Sequence, residues 1–349
     1  MAYPVLTGAV LIEANGAALN NAGQDEGIRA DNAIVVKQIR NGRLRYPYVS
    51  GQAWRRWWRE VLYADFGWKP SEVIRERKSA YTSGDPVQYE EDDLFGYMAA
   101  RKRGQGQGTL RRISPLKNSL LISVLPNVID RDFGHLSRNL PAGADFLLFE
   151  SEHYTTYLQG AFTVSLGDVG RFRVGEMYDL PEDMVKGYKD RLHTISEDPL
   201  QVGLAQEQRI GRVRDAVQAL ARLRGGARLA RNLSDVSPVV AVVGFLDGGN
   251  APFQRLFRPD ASMERVVFDL ERFRTVLRDY RDRLLRPEGR QPAVWAGFLP
   301  GVLANEEDVR RALGEEEPFR GAVQLADSAS DALLGASAAV GSVYAQYAG

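Results

Sequence analysis

The loop around Asp25 and Glu26 carries the residues most suited to catalysis in this chain. It reads GQDEGIRA, and a carboxylate in such a loop can act as a general base or as a metal ligand on a bound RNA. No partner ligand is identifiable, so we expect both carboxylates to be solvated. His135 in DFGHLSR can serve as a general acid, although a loop histidine packed beside Phe133 is the commoner outcome.

Composition excludes most other chemistry. The chain has no cysteine, which removes disulfides, thiolate zinc sites, iron–sulfur clusters and thiol nucleophiles. Its three histidines are far apart, and no GxxxxGK[ST], GxSxG or HExxH pattern occurs. We therefore expect no cofactor and no metal.

Positive charge is segregated on this formally neutral chain. The segment from Arg29 to Arg59 has eight basic residues against Asp31 alone, and it includes WRRWWRE at 54–60. Basic stretches also span 101–117 and 209–231, whereas acids gather at 90–93 and 315–317. Such segregation predicts a surface that binds a polyanion, with arginine-rich solvated faces as the alternative.

Two elements must position the first basic segment. The residues 34–39 and 44–49 flank Asn41-Gly42, which predicts a β-hairpin. Ser50 then caps a helix that runs to about residue 65 and stops at Gly67. Its tryptophans follow the spacing of a buried stripe, which leaves Gln52, Arg55, Arg56 and Arg59 on the other side. Arg56 and Glu60 can also form a simple i,i+4 pair.

Buried strands are predicted at 5–12, 155–166 and 239–246, and a second helix at about 210–223. We expect 70–103 to be helical and the tail from residue 321 to be a loosely packed helix. The core order is strand, helix, strand, strand, helix, strand, which predicts an α+β, ferredoxin-like or RNA-recognition core. The RNP1 pattern is absent, so backbone contacts by basic residues are expected in place of base stacking.

At 349 residues the chain can hold one core with large insertions. No apolar run is long enough to span a membrane, and the N-terminus lacks the features of a signal peptide. We therefore expect a cytoplasmic protein with no membrane partner.

Several long motifs occur together in one order: NNAGQDEGIR, YPYVSGQAWRRWWRE, DDLFGYM, RISPLKNSLLISV and DFGHLSR. In these the chain resembles the DevR/Cst family, the subtype I-B branch of the CRISPR-associated Cas-seven backbone subunits of Cascade. The resemblance is dense over residues 5–138 and fades over the last hundred. It implies a non-catalytic subunit that binds CRISPR RNA, stacks head to tail with further copies of itself, and presents the guide to target DNA beside other Cascade subunits.

The resemblance also implies a division of the chain. An RNA-recognition-like palm would comprise 1–66 with 109–125, 154–170 and 200–250. Helical fingers would span 67–108, a thumb hairpin 126–153, and a C-terminal helical region 251–349.

The residues implied to bind RNA are polar, basic or glycine positions of the palm and its neighbours: Asn20, Asn21, Arg29, Lys37, Gln38, Ser50, Gln52, Arg55, Arg56, Arg59, Arg111, Arg112, Lys117, Arg138, Gly225, Gly226, Arg228 and Arg231. The thumb would kink the RNA with an apolar wedge, for which Phe133, Leu136 and Leu147 are the candidates. The thumb tip departs from the His/Glu-rich sequence of many relatives.

Two alternatives remain open. The related type III backbone subunits cut target RNA with a loop aspartate, for which Asp25 would be the candidate here. A transcriptional regulator would need to bind duplex DNA by sequence, and no helix-turn-helix signature supports that reading.

Overall fold

The computed structural model describes residues 3–23, 33–76, 79–100, 109–127, 129–136, 147–175, 178–288 and 292–348. Within these ranges no helix is both long enough and apolar enough to cross a membrane.

The strands, in chain order, are β1 Pro4–Ala17, β2 Asn21–Gly23, β3 Ala33–Val36, β4 Gln38–Asn41, β5 Leu44–Val49, β6 Val73–Glu76, β7 Ser79–Thr82, β8 Tyr97–Ala100, β9 Thr109–Arg112, β10 Leu116–Asn118, β11 Leu121–Ser123, β12 Asp130–Leu136, β13 Leu147–Ser165, β14 Arg171–Arg173, β15 His193–Thr194, β16 Gln201–Gly203, β17 Pro238–Asp247, β18 Phe257–Pro259, β19 Val266–Phe268, β20 Val294–Phe298 and β21 Val323–Ala326.

The α-helices are α1 Gly51–Phe66, α2 Glu90–Phe95, α3 Glu182–Gly187, α4 Gln206–Ala221, α5 Leu270–Asp279, α6 Glu306–Glu315 and α7 Ala329–Val343. Two short turns of other helix types cover Arg281–Arg283 and Tyr344–Ala348.

A central sheet has the strand order β21-β20-β17-β1-β13-β11-β5-β4. Its neighbours are antiparallel except for β20 and β21, which are parallel. Within it, α1 lies between β1 and β11 in the chain, and α4 lies between β13 and β17. The order strand, helix, strand, strand, helix, strand that the sequence predicts is therefore present in an α+β fold.

The first helix follows its local signals. The Ser50 side chain accepts a hydrogen bond from the Ala53 amide, and Gly67 ends the helix in the left-handed conformation. Trp54, Trp57 and Trp58 are buried, as predicted. The indole of Trp58 donates to the Ala216 carbonyl at 2.7 Å, so α1 is tied directly to α4.

Successive side chains of a strand point to opposite faces of the sheet, so the apolar strands of this sheet contribute to a core on each face. Leu6 and Val10 of β1 point into one core with α1, α4 and α7, whereas Ala9 and Leu11 point into a second core. The second core is built with residues of β18, β19, α5 and α6. This C-terminal layer covers only part of its face.

The expectation of helical fingers at 67–108 is wrong for the described part of that segment. It contains the hairpin β6–β7 and the strand β8, which pairs with β9, and its single helix α2 has six residues. The charges of this segment form consecutive runs such as 75–78 and 90–93, which have neither the period of a helix nor that of a strand, so the local pattern did not separate the two.

The C-terminal region is not purely helical either, since β20 and β21 extend the central sheet. The expected loose helix at its end is α7, and it is tightly packed. Gly335 lies so close to the Trp295 ring that an added Cβ would be 2.7 Å from Cδ1. Small residues on α7 thus allow close approach to the sheet.

Candidate nucleic-acid interface

Asn20 joins three segments of the predicted interface. Its Oδ1 accepts a hydrogen bond from the Ser50 amide at 2.9 Å, which fixes the loop after β1 against the start of α1. Its carbonyl accepts from the Lys37 amide at 3.0 Å, which adds the start of the β4–β5 hairpin. Asn20 is therefore in direct contact with Lys37 and Ser50, which are 17 and 30 residues away in the sequence.

The turn at 225–231 reaches the same place. The Ala227 amide donates to the Leu19 carbonyl at 3.0 Å. Gly225 lies against Trp57, where a Cβ would stand 2.3 Å from Cγ, so this position requires glycine. Arg228 takes a positive φ of 59°, an uncommon conformation for a side-chain-bearing residue and one that recurs at functional turns.

We call the resulting patch the Asn20 surface. It comprises Asn20, Asn21, Lys37, Gln38, Ser50, Gln52, Gly225, Gly226, Arg228 and Arg231. These ten predicted RNA-binding positions therefore lie on elements that the fold brings together.

The electrostatics of this surface favour an anion. In the described part of the chain, Lys37 and Arg228 make no ion pair, so their charges remain available. The N-terminus of α1, with Gln52 exposed in its first turn, adds the positive end of the helix dipole.

Arg55 does not belong to this surface, contrary to the expectation from helical periodicity. Its guanidinium donates to four oxygens: Phe95 O at 2.7 Å, Leu116 O at 2.9 Å, Asn118 Oδ1 at 3.0 Å and Ser114 Oγ at 3.0 Å. Burial lowers the pKa of Arg55 to about 10, with a smaller effect from the Arg59 charge. Arg55 therefore stays charged at neutral pH but is used to attach α1 to the following segments.

The other arginines of α1 are also engaged. Arg56 is exposed and pairs with Glu60 at 2.8 Å, one turn along the helix. Arg59 pairs with Glu91 at 3.1 Å and lies 4.4 Å above the Phe95 ring. An exposed pair such as Arg56–Glu60 is weak and can open to a phosphate, whereas the half-buried Arg59 holds α2 against α1.

Arg112 is a second correction. It is buried and forms ion pairs with Asp93 and Asp179, and Asp93 also pairs with the buried Arg212 at 2.5 Å. A guanidinium that is already paired and dehydrated cannot also bind a phosphate, so Arg112 has a structural role. Arg111 and Lys117 are exposed on β9 and β10 and form no ion pair with any described residue.

The thumb prediction at 126–153 corresponds to an antiparallel hairpin. Strands β12 and β13 pair from Asp130↔His153 to Leu136↔Leu147. Phe133 is 73% exposed on this hairpin, while the side chains of Leu136 and Leu147 lie outside the described residues. An aromatic ring exposed on a hairpin fits the predicted wedge in its position.

The hairpin also contacts the Asn20 surface and its neighbours, and of the residues in these contacts only Arg231 was predicted to bind RNA. Arg231 lies 5.2 Å from the Phe149 ring centre, and Asn232 Nδ2 lies 3.0 Å from His153 Nδ1. Glu152 accepts a hydrogen bond from the Val36 amide at 2.9 Å. No motif marks these contacts, because they join positions about 80 to 116 residues apart.

Asp25, Arg29 and Arg138 lie outside the described residues. Among the described residues, no group of three or more His, Cys, Asp or Glu side chains is placed to hold a metal ion.

Comparisons with known proteins agree with this fold. The family model described as "CRISPR-associated negative auto-regulator DevR/Csa2" matches residues 8–254. A solved structure titled "CRISPR RNA-guided surveillance complex" has a TM-score of 0.51 at 12% identity, covering 96% of this chain and 99% of that one. Another, titled "CRISPR RNA-guided surveillance complex, pre-nicking", has a TM-score of 0.54 at 10% identity, covering 96% and 100%. Curated proteins include no match.

Proposed function

Because the chain belongs to the DevR/Csa2 family of CRISPR-associated proteins, we propose that it is a guide-RNA-binding backbone subunit of a type I-B Cascade complex. In this proposal it polymerises head to tail along the spacer, kinks the RNA with its thumb, and presents the guide for pairing with target DNA. It has no catalytic role of its own.

The observation that carries the proposal is the convergence at Asn20. Three chain segments and a left-handed turn meet there and present cations, next to a helix N-terminus, that pair with no acid in the described ranges. Backbone amides and cations recognise phosphates without reading bases. A subunit that accepts any guide sequence needs this kind of contact.

The thumb supports the kinking part of the proposal. Its hairpin contacts the Asn20 surface through Phe149, which lies against Arg231, and carries the exposed Phe133 opposite Glu150, one register position nearer the base than Phe149. An exposed apolar ring on this hairpin can separate two stacked bases, while the cations of the Asn20 surface hold the flanking phosphates.

The direct test is to express the chain with its neighbouring genes and a repeat-spacer array, and to sequence the RNA that copurifies. We expect a discrete RNA with one spacer and several copies of this chain per RNA. Absence of RNA would contradict the proposal. RNA shortened in the native protein but intact in Asp25→Ala would support the nuclease alternative instead.

A salt titration tests the assigned surface. The double variant Lys37→Ala with Arg228→Ala removes two phosphate contacts, so the slope of log affinity against log salt should fall by roughly 1.4, at about 0.7 per contact. The matched control is Arg278→Ala with Arg311→Ala, two exposed arginines on α5 and α6. Equal slopes for the two double variants would remove the Asn20 surface from the proposal.

A further inference from the structure

A recess lies on the sheet face opposite α1, between the sheet and the C-terminal layer. Its volume is about 660 Å³, which is within the range of ligand-binding pockets. The floor is low because Ala9 and Ala161, which pair across β1 and β13, present only methyl groups. Ile39 and Leu120, both more than a third exposed, add apolar surface. We call this recess the sheet-face groove.

The lining includes an unsatisfied acceptor. Gln159 Oε1 is buried and has no hydrogen-bond partner within the described part of the chain. A buried acceptor without a donor costs free energy, and that cost disappears when a ligand supplies an N–H.

One side of the groove is positive. Arg255, Arg258 and Arg272 line it, and Asp269 is the one acid among the described lining residues. Asp269 lies 3.4 Å from Arg258 and 3.7 Å from Arg272, so it offsets part of their charge. Arg255 is exposed, makes no ion pair with any described residue, and has a positive φ of 67°. A strained, unpaired cation beside an apolar floor favours an anionic ligand.

We propose that the sheet-face groove binds one or two nucleotides of an unpaired nucleic-acid strand, separately from the guide RNA on the Asn20 surface. A base lies on the apolar floor beside Tyr46 and donates an N–H to Gln159 Oε1. The adjoining phosphate pairs with Arg255. A flat base matches the apolar floor, and its N–H edge matches the acceptor of Gln159. The regular negative charge of the strand matches the arginine side of the groove.

A peptide segment is the competing occupant. It would fill the apolar floor, but it would need an acidic side chain and a free amide at matching positions, whereas every amino-bearing nucleotide carries both functions. The groove and the Asn20 surface also differ in their residues, so variants separate the two sites. The inference goes beyond the proposed function and does not depend on it.

The test uses the full chain with fluorescein-labelled r(A)5 and d(A)5, measured by anisotropy in the Lys37→Ala, Arg228→Ala background. We expect Arg255→Ala and Gln159→Leu each to weaken binding about fivefold or more, the loss of one charged or neutral contact. Arg255→Ala should also lower the salt slope by about 0.7. If the variants weaken r(A)5 and d(A)5 equally, the groove recognises the base and the phosphate, which RNA and DNA share. If one oligonucleotide binds more tightly, the preference shows whether the bound strand is RNA or DNA.

The control is Arg278→Ala, an exposed arginine of α5 outside the groove. Arg255 is exposed, so its variant should fold, and Gln159→Leu removes an orphaned acceptor, so it should not be destabilised. Photocrosslinking of a 5-iodouracil strand should label the peptide that contains Tyr46. Unchanged affinity and slope in both variants would overturn the inference. Lost self-association with intact oligonucleotide binding would overturn it in favour of a protein occupant.

Discussion

Asn20 Oδ1 accepts a hydrogen bond from the Ser50 amide at 2.9 Å, and this bond joins the loop after β1 to the cap residue of α1. The two residues are 30 positions apart, and neither is charged. The bond therefore sets the shape of the Asn20 surface, while Lys37 and Arg228 supply its charge.

A first prediction concerns this bond. Asn20→Asp keeps the Oδ1 acceptor but adds a negative charge where phosphate is proposed to bind. We expect a thermal midpoint within a few degrees of the native protein and a loss of RNA affinity of about tenfold, since one charge contact is worth roughly 1.4 kcal/mol. The measurement is RNA titration beside thermal unfolding. The control is Asn250→Asp, an exposed asparagine outside this surface whose Oδ1 also acts as an acceptor, here from Arg283 Nη2 at 3.0 Å. Equal affinities for the two variants would contradict the assignment.

Arg55 and Arg56 are neighbours with opposite expected effects. Arg55→Ala removes one hydrogen bond from each of Phe95 O, Leu116 O, Asn118 Oδ1 and Ser114 Oγ, and we expect the free energy of unfolding to fall by about 2–4 kcal/mol. Arg56→Ala removes only an exposed pair with Glu60 and should cost less than about 0.5 kcal/mol. Denaturant unfolding distinguishes them, and similar losses would contradict the structural role given to Arg55.

Asp93 is the centre of a buried ion cluster. It pairs with Arg112 and Arg212 and also accepts a hydrogen bond from the Gly170 amide at 2.9 Å. Asp93→Asn leaves the buried Arg212 without an acidic partner among the described residues and leaves Arg112 with Asp179 alone, so we expect a loss of about 3–5 kcal/mol in unfolding free energy.

The matched control for Asp93 is Glu90→Gln on the same helix, because Glu90 forms no ion pair in the described part of the chain. Chemical denaturation should show a large loss for Asp93→Asn and a change below about 0.5 kcal/mol for the control. A small loss for both would show that the cluster does not hold α2 to α4.

The effect of Asp215 on protein stability should depend on pH. Burial raises the pKa of Asp215, and a hydrogen bond from Trp68 Nε1 at 2.9 Å counteracts only part of that rise. The folded state then binds the proton more tightly than the unfolded state, so the ionised carboxylate costs stability above the folded pKa. Asp215→Asn keeps an acceptor for Trp68 and should raise the unfolding free energy by roughly 0.5–1 kcal/mol at pH 7 after solvent screening.

That gain should shrink as the pH falls through the raised pKa of Asp215, because the folded protein then binds the proton and the cost of the buried charge disappears. The control, Asp65→Asn, should change the unfolding free energy in the opposite direction. Its hydrogen bond from Arg224 lowers the pKa of Asp65, so the substitution should reduce stability at pH 7. Stability curves from pH 4 to 7 that run parallel for Asp215→Asn and the native protein would contradict the prediction.

Much of the fold could be predicted from local signals. Ser50, Gly67 and the tryptophan spacing determine α1 because caps and periodicity act within a few residues. Asn41-Gly42 determines the β4–β5 hairpin, in which Asn41 pairs with Leu44, for the same reason. Segregated basic residues predict a polyanion surface, and RNA binding at the ten positions of the Asn20 surface, of which Lys37, Arg228 and Arg231 are basic, stays a prediction.

Only the tertiary structure decided which arginines are free. Periodicity places Arg55 on the polar side of α1, but it does not show that Phe95 and Leu116 carbonyls pack against that side. Arg112 likewise is one of six basic residues in 101–117 until Asp93 and Arg212, which are distant in sequence, surround it. Charge is a property of the residue, whereas its availability depends on long-range packing, and a single sequence does not encode that packing locally.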